Sequence, residues 1–201
     1  MRKRKRTAAL AAILLTCLCV VVQGQDNSKD KSKPSQLTIH VRDYCDPDTF
    51  NAGLGPGTCT RDTSTGAINL NGFLTEATLD KSVGAWRFVP DRPMASEGAT
   101  ISLQNLGGET HTFTRVKRFG GGFVAPLNAA AGTPEPAPEC AKMINGQLVP
   151  QAPGPDNIFI PAGGTASATL KSDGSVRYQC CIHPWMHVTI TPKDEHHENQ
   201  H

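Results

Sequence analysis

Aromatic residues make up only 5% of the 201-residue sequence, and just 2 are Trp and 2 are Tyr. No long stretch repeats apolar residues at helical spacing, which excludes a helical bundle or coiled coil. No G-x-S-x-G motif occurs, so nothing points to serine hydrolysis. Gly120-Gly121-Gly122 is followed by neither Lys-Ser nor Lys-Thr and reads as loop rather than a phosphate cradle. Only one apolar run is long, Ala8 to Val22, and no later stretch approaches the roughly 20 residues of a spanning helix. No internal repeat is visible.

That run follows an unbroken basic stretch, Arg2 to Arg6, and precedes the small residue Gly24. A charged start, a short apolar middle and a small-residue exit describe a secretory signal peptide over residues 1–24. An uncleaved anchor would need a longer run, and Cys17 and Cys19 lack the small residues that precede lipidation sites. The whole chain carries a formal charge of +2, but five of its basic residues and no acidic one lie in this leader. The exported chain is therefore slightly acidic, which excludes the basic footprint of a nucleic-acid binder. It has no stable membrane insertion after cleavage, and its compartment is periplasmic or secreted.

Gly (19) and Pro (15) are plentiful, and the strand-like runs between them are short. This composition predicts an all-β sandwich or barrel. After a polar spacer (25–35), one domain spans 36–192, followed by a polar tail (193–201). Leu37, Ile39 and Val41 alternate with polar neighbours, as on a half-buried strand. Residues 43–83 read as loop-rich, with Asn-Ala-Gly-Leu-Gly-Pro-Gly between Cys45 and Cys59. Trp86 to Val89 is a short strand, and Ala99 to Asn105 turns at Gly107-Gly108 into Thr110 to Val116, which predicts a hairpin. Phe119 to Pro155 reads as a long surface excursion, with room for a short helix. Strands follow at 158–160, 166–170, 175–180 and 187–191. Tyr44, Trp86, Phe88 and Phe113 are expected in the core, Trp185 either there or at the edge of a docking surface, and His187 on the surface.

Chemistry concentrates in Cys180-Cys181-Ile182-His183-Pro184-Trp185-Met186. Cys180, His183 and Met186 stand three residues apart on a short loop between strands, so a thiolate, an imidazole and a thioether can converge. His111 supplies a second imidazole from the start of another strand. Two His nitrogens and a Cys sulfur with a weak axial Met suit copper cycling between Cu(I) and Cu(II).

The C-x-x-H-P-x-M loop resembles that of the cupredoxins, the blue copper proteins, with the short spacing of plastocyanin- and amicyanin-like members. The stretch from Phe88-Val89-Pro90 through Glu97-Gly98-Ala99-Thr100-Ile101 to His111-Thr112-Phe113 is similar to the cupredoxin approach to the first histidine. The resemblance spans about Trp86 to Val116 and Ile158 to Thr191. It implies a Greek-key β-sandwich holding one copper ion through His111, Cys180, His183 and Met186. It also implies a soluble one-electron carrier between redox partner proteins. Thr112 stands where plastocyanin-like members often have Asn, so hydrogen bonding near the sulfur is expected to differ. The excursion 119–155 is longer than small members carry, long enough to cover the metal or form a partner surface.

Cys180 keeps period-two register with Val176 and Tyr178, whereas Cys181 faces the opposite side and sits too close to His183 for the loop pattern. That leaves Cys45, Cys59, Cys140 and Cys181 for disulfides in an oxidising compartment, with three possible pairings. Proximity favours Cys45–Cys59, and Cys140–Cys181 follows by elimination. The His196, His197 and His201 tail reads as solvated. The alternative function is copper storage, delivery or resistance without electron transfer. Multicopper enzymes need further coppers, usually bound by His-x-His pairs, and none occurs here, so no catalytic role is expected.

Overall fold

The computed structural model describes residues 35–62, 66–172 and 174–193. The leader, nearly all of the spacer and the histidine-bearing tail beyond Lys193 lie outside the described residues.

Strands form where apolar and polar residues alternate, and they assemble into two main sheets. β1 (Gln36–Arg42), β2 (Arg87–Val89), β4 (Thr100–Asn105) and β9 (Thr165–Thr169) make the first, in the order β2-β1-β4-β9. The second holds β3 (Met94–Ala95), β5 (His111–Val116), β8 (Asn157–Ile160), β10 (Val176–Gln179) and β11 (His187–Pro192), in the order β3-β11-β10-β5-β8. β6 (Ala141–Ile144) and β7 (Gln147–Pro150) form a separate two-stranded sheet. The first sheet turns Ile39, Val41, Ile101 and Leu103 inward, each with no exposed surface, and the second contributes Phe113, Ile160, Tyr178, Val188 and Ile190 to the same core. Phe88 of the first sheet meets Phe113 of the second edge-on, with ring centroids 5.5 Å apart. The molecule is therefore an all-β sandwich, as the composition predicts.

Three predicted segments turn out differently. β4 and β5 are not a hairpin: β4 bonds to β1 and β9, while β5 bonds to β10 and β8 in the other sheet. Gly107-Gly108 serves close approach instead. A Cβ on Gly107 would collide with the Asp43 carboxylate, and one on Gly108 with Arg61 and the Cys45 sulfur. Residues 43–83 are not all loop, since they contain α1 (Pro47–Leu54) and α2 (Leu70–Asp80). Asp46 caps α1 by accepting from Thr49 N–H at 3.1 Å, and Asn69 caps α2 by accepting from Gly72 N–H at 2.8 Å. The excursion carries α3 (Ala125–Ala130) and the β6–β7 hairpin, whose Asn145-Gly146 turn has φ of 50° and 80°. Both central residues lie in the left-handed region, as a type I′ turn requires.

Trp86, Phe88 and Phe113 are core residues, but Tyr44 is only half-buried, with the Arg61 guanidinium 4.3 Å above its ring. Disulfides join Cys45 to Cys59 and Cys140 to Cys181, with Cα–Cα distances of 6.1 and 5.3 Å, while Cys180 stays free and buried.

Candidate metal centre

The centre lies at one end of the sandwich, where β5 begins and β10 ends. His111 opens β5, Cys180 immediately follows β10, and the turn from Cys180 to Met186 returns the chain to β11. Two hydrogen bonds close that turn: Cys180 N–H donates to the Met186 carbonyl, and Met186 N–H to the His183 carbonyl, both at 3.0 Å. Met186 is buried at the turn's closing end, 1% exposed.

His111, Cys180 and His183 offer donor atoms that all lie within 4.8 Å of one another, and all three residues are buried. Nδ1 of His111 is 3.8 Å from the Cys180 sulfur, and Nδ1 of His183 is 3.9 Å from it. Two nitrogens facing one thiolate at these separations leave room for an ion at ordinary metal–N and metal–S bond lengths. The soft sulfur with two imidazoles is a donor set that fits copper.

Backbone donors shape the sulfur. Thr112 N–H lies 3.4 Å and His183 N–H 3.5 Å from the Cys180 sulfur. The Thr112 hydroxyl accepts from Cys181 N–H at 2.7 Å, tying β5 to the ligand loop. Thr112 thus bridges the two segments that carry the donors.

Each imidazole also has a carboxylate at its outer nitrogen, which the sequence reading missed. Nε2 of His111 is 2.8 Å from Oδ2 of Asp43, with neither side chain exposed. Asp43 further accepts from the N–H groups of Gly108 at 2.9 Å, Glu109 at 3.1 Å and Cys45 at 3.3 Å. A carboxylate with four donors is held as the anion, so His111 presents Nε2–H to it and turns Nδ1 toward the sulfur. Nε2 of His183 is 3.5 Å from Oε2 of Glu109, the oxygen that also accepts from the Trp86 indole N–H at 2.6 Å.

The electrostatics follow. Burial works against charge on His111, but Asp43 and the Cys180 sulfur outweigh it and raise its pKa to about 10. Burial likewise opposes the Cys180 thiolate, yet the two histidines bring its pKa well below the usual thiol value. Burial opposes ionised Asp43 too, and its His111 and backbone hydrogen bonds still lower it. For Glu109, burial, assisted by the nearby Asp43 charge, prevails over His183 and Trp86, and its pKa is raised.

The cover over His183 comes from an unexpected segment. Phe50 of α1 and Phe73 of α2 pack on Trp86, at centroid distances of 5.9 and 4.7 Å. Phe73, Trp86 and Trp185 in turn surround His183 at 6.1, 6.4 and 5.6 Å, leaving it 2% exposed. The excursion 119–155 instead braces the loop from its other side. Phe123 N–H donates to the Cys181 carbonyl at 2.8 Å, and Gly122 lies so close to that carbonyl that no Cβ fits. His187 is not on the surface as expected: it is half-buried and stacks on Phe119 at 3.9 Å.

Among solved structures, the chain is similar to a purple cupredoxin from Nitrosopumilus maritimus, with 13% identity over 78% of this chain and 99% of that one and a TM-score of 0.37. It is also similar to amicyanin from Paracoccus versutus, with 11% identity over 56% of this chain and 77% of that one and a TM-score of 0.32. No protein-family model and no curated protein matches the chain.

Proposed function

We propose that this cupredoxin-like sandwich is an exported protein that holds one copper ion and passes single electrons between redox partner proteins. His111 and His183 would bind through Nδ1, Cys180 through its thiolate, and Met186 as the weak axial donor. The observation that carries this reading is the pair of imidazole Nδ1 atoms facing one buried sulfur at 3.8 and 3.9 Å. Copper supplies a one-electron couple, and the protein's part is to keep the donors in place through it. Anchoring His111 on β5 and closing the Cys180–Met186 turn with backbone hydrogen bonds limits rearrangement between the two oxidation states.

Burial of the site bears on the alternative, copper storage or delivery. Handing a metal to another protein requires a ligand that the acceptor can reach. His183 under three aromatic rings and His111 with no exposed surface favour retention of the ion. An electron, unlike the ion, can leave through packed atoms, and half-buried Trp185 against His183 provides an aromatic route outward. Two disulfides suit an oxidising compartment, in keeping with export. No helix among the described residues is long and apolar enough to cross a membrane.

The test is to add Cu(II) to the purified protein and record visible and EPR spectra. An intense thiolate-to-copper band with narrow hyperfine splitting is expected, followed by rapid electron self-exchange. No such band refutes the copper assignment, while a band with negligible self-exchange refutes the carrier role.

A further inference from the structure

Two buried carboxylates, one at each histidine's outer nitrogen, are more negative charge than ligand positioning needs. Resting on the copper reading above, we propose that Asp43 and Glu109 act as a pair of positioning residues: Asp43 fixes His111 in the Nε2–H form, and the two carboxylates together bias the bound ion toward Cu(II).

The geometry carries both halves of the statement. Oδ2 of Asp43 is 2.8 Å from Nε2 of His111, and Oε2 of Glu109 is 3.5 Å from Nε2 of His183. Each carboxylate is itself held: Asp43 by the backbone of Gly108, Glu109 and Cys45, and Glu109 by the Trp86 indole. The two are parts of one knot, because the Glu109 N–H is among the donors to Asp43. Asn105 fixes the same segment, its side-chain amide donating to the Glu109 carbonyl at 2.8 Å. A carboxylate on the distal N–H of a ligating imidazole sets its tautomer and strengthens it as a donor.

Charge counting gives the redox bias. Cu(II) with one thiolate leaves a single positive charge, which two nearby carboxylates turn net negative. Adding an electron then places further negative charge in a water-poor site, where Coulomb terms are poorly screened. The two N–H groups near the Cys180 sulfur act in the opposite direction by withdrawing charge from the thiolate, but they are neutral dipoles set against the Asp43 anion and the Glu109 carboxyl beside it.

The experiment compares copper-loaded wild type with Glu109→Gln, which keeps an acceptor for Trp86 and removes the charge, and with Glu97→Gln as a net-charge control on an exposed residue. The Glu109→Gln protein should keep the blue band while its midpoint potential rises. The expected drop in the Cu(II)-to-Cu(I) affinity ratio is on the order of tenfold, or about 59 mV for one electron. A potential no different from that of Glu97→Gln, with the band intact, overturns the proposal and leaves the copper reading standing. A wild-type protein without the band overturns the reading itself. Nitrogen NMR of the diamagnetic Cu(I) wild type decides the tautomer half without any variant. A slowly exchanging Nε2–H proton on His111 is expected, and a rapidly exchanging or Nε2-bound His111 overturns it even if Glu109→Gln fails to fold.

Discussion

Replacing Cys140 and Cys181 together by Ala separates the roles of the two adjacent cysteines. The Cys140–Cys181 bridge closes a sequence separation of 41 residues, against 14 for Cys45–Cys59. In the chain-entropy treatment the longer closure is worth ~4 kcal/mol and the shorter ~3 kcal/mol, since the loss grows only with the logarithm of loop length. For a domain of this size each kcal/mol moves the midpoint by about 2–4 °C, so the double variant should melt on the order of 10 °C below wild type. The bridge sits in a small apolar cluster with Val116 and Ala137, separate from the main core that includes Cys180 and Met186. Copper binding at moderate temperature should therefore persist with its blue band, because Cys180 is untouched and still ordered by Thr112. Calorimetry of the metal-free proteins measures the first effect and copper titration followed in the visible range the second. An unchanged melting temperature would refute the stabilising role of the bridge. Loss of the band in a folded double variant would make Cys181, not Cys180, the ligand.

Cys180→Ser, by contrast, should abolish the visible band while near-ultraviolet circular dichroism shows the same packed core; a retained band refutes the ligand assignment. In the metal-free protein His111 stays protonated up to about pH 10, so copper must displace that proton at any lower pH. Affinity for Cu(II) should then rise about tenfold per pH unit between pH 7 and 9 in chelator competition, and a flat profile would contradict the Asp43–His111 arrangement. Gly107→Ala forces a Cβ into the Asp43 carboxylate, and an overpacking cost of about 1–3 kcal/mol in denaturant unfolding is expected. Phe73→Ala should destabilise by about 3–5 kcal/mol and uncover His183; self-exchange faster than wild type would show that the aromatic cover limits electron entry.

The alternation of Leu37, Ile39 and Val41, and of Ile101 and Leu103, was enough to place β1 and β4, because burial on one face of a strand demands period two. The spacing of Cys180, His183 and Met186 singled out the chemistry, since three donor types on one short turn have few other uses. The helices α1 and α2 escaped notice for a physical reason. They bury only Phe50 in one and Phe73 and Ala77 in the other, too few positions to display a helical period. Their caps, Asp46-Pro47 and Asn69, were the available signal. The Asn145-Gly146 turn of the excursion was legible too, but the Gly- and Pro-rich surroundings masked its short strands.

From residue order alone came most strands of the sandwich, the candidate donors of the Cys180–Met186 loop and the separation of Cys180 from Cys181, all of which depend on local spacing. Tertiary structure decided what surrounds those donors. Asp43 reaches His111 across 68 positions and Trp86 reaches Glu109 across 23, and only the packing of two sheets brings such distant side chains within hydrogen-bond range. The same packing sent β4 and β5 to different sheets, because the edges of β4 were already taken by β1 and β9. Local pattern records which face a residue turns inward, but not which residue waits there.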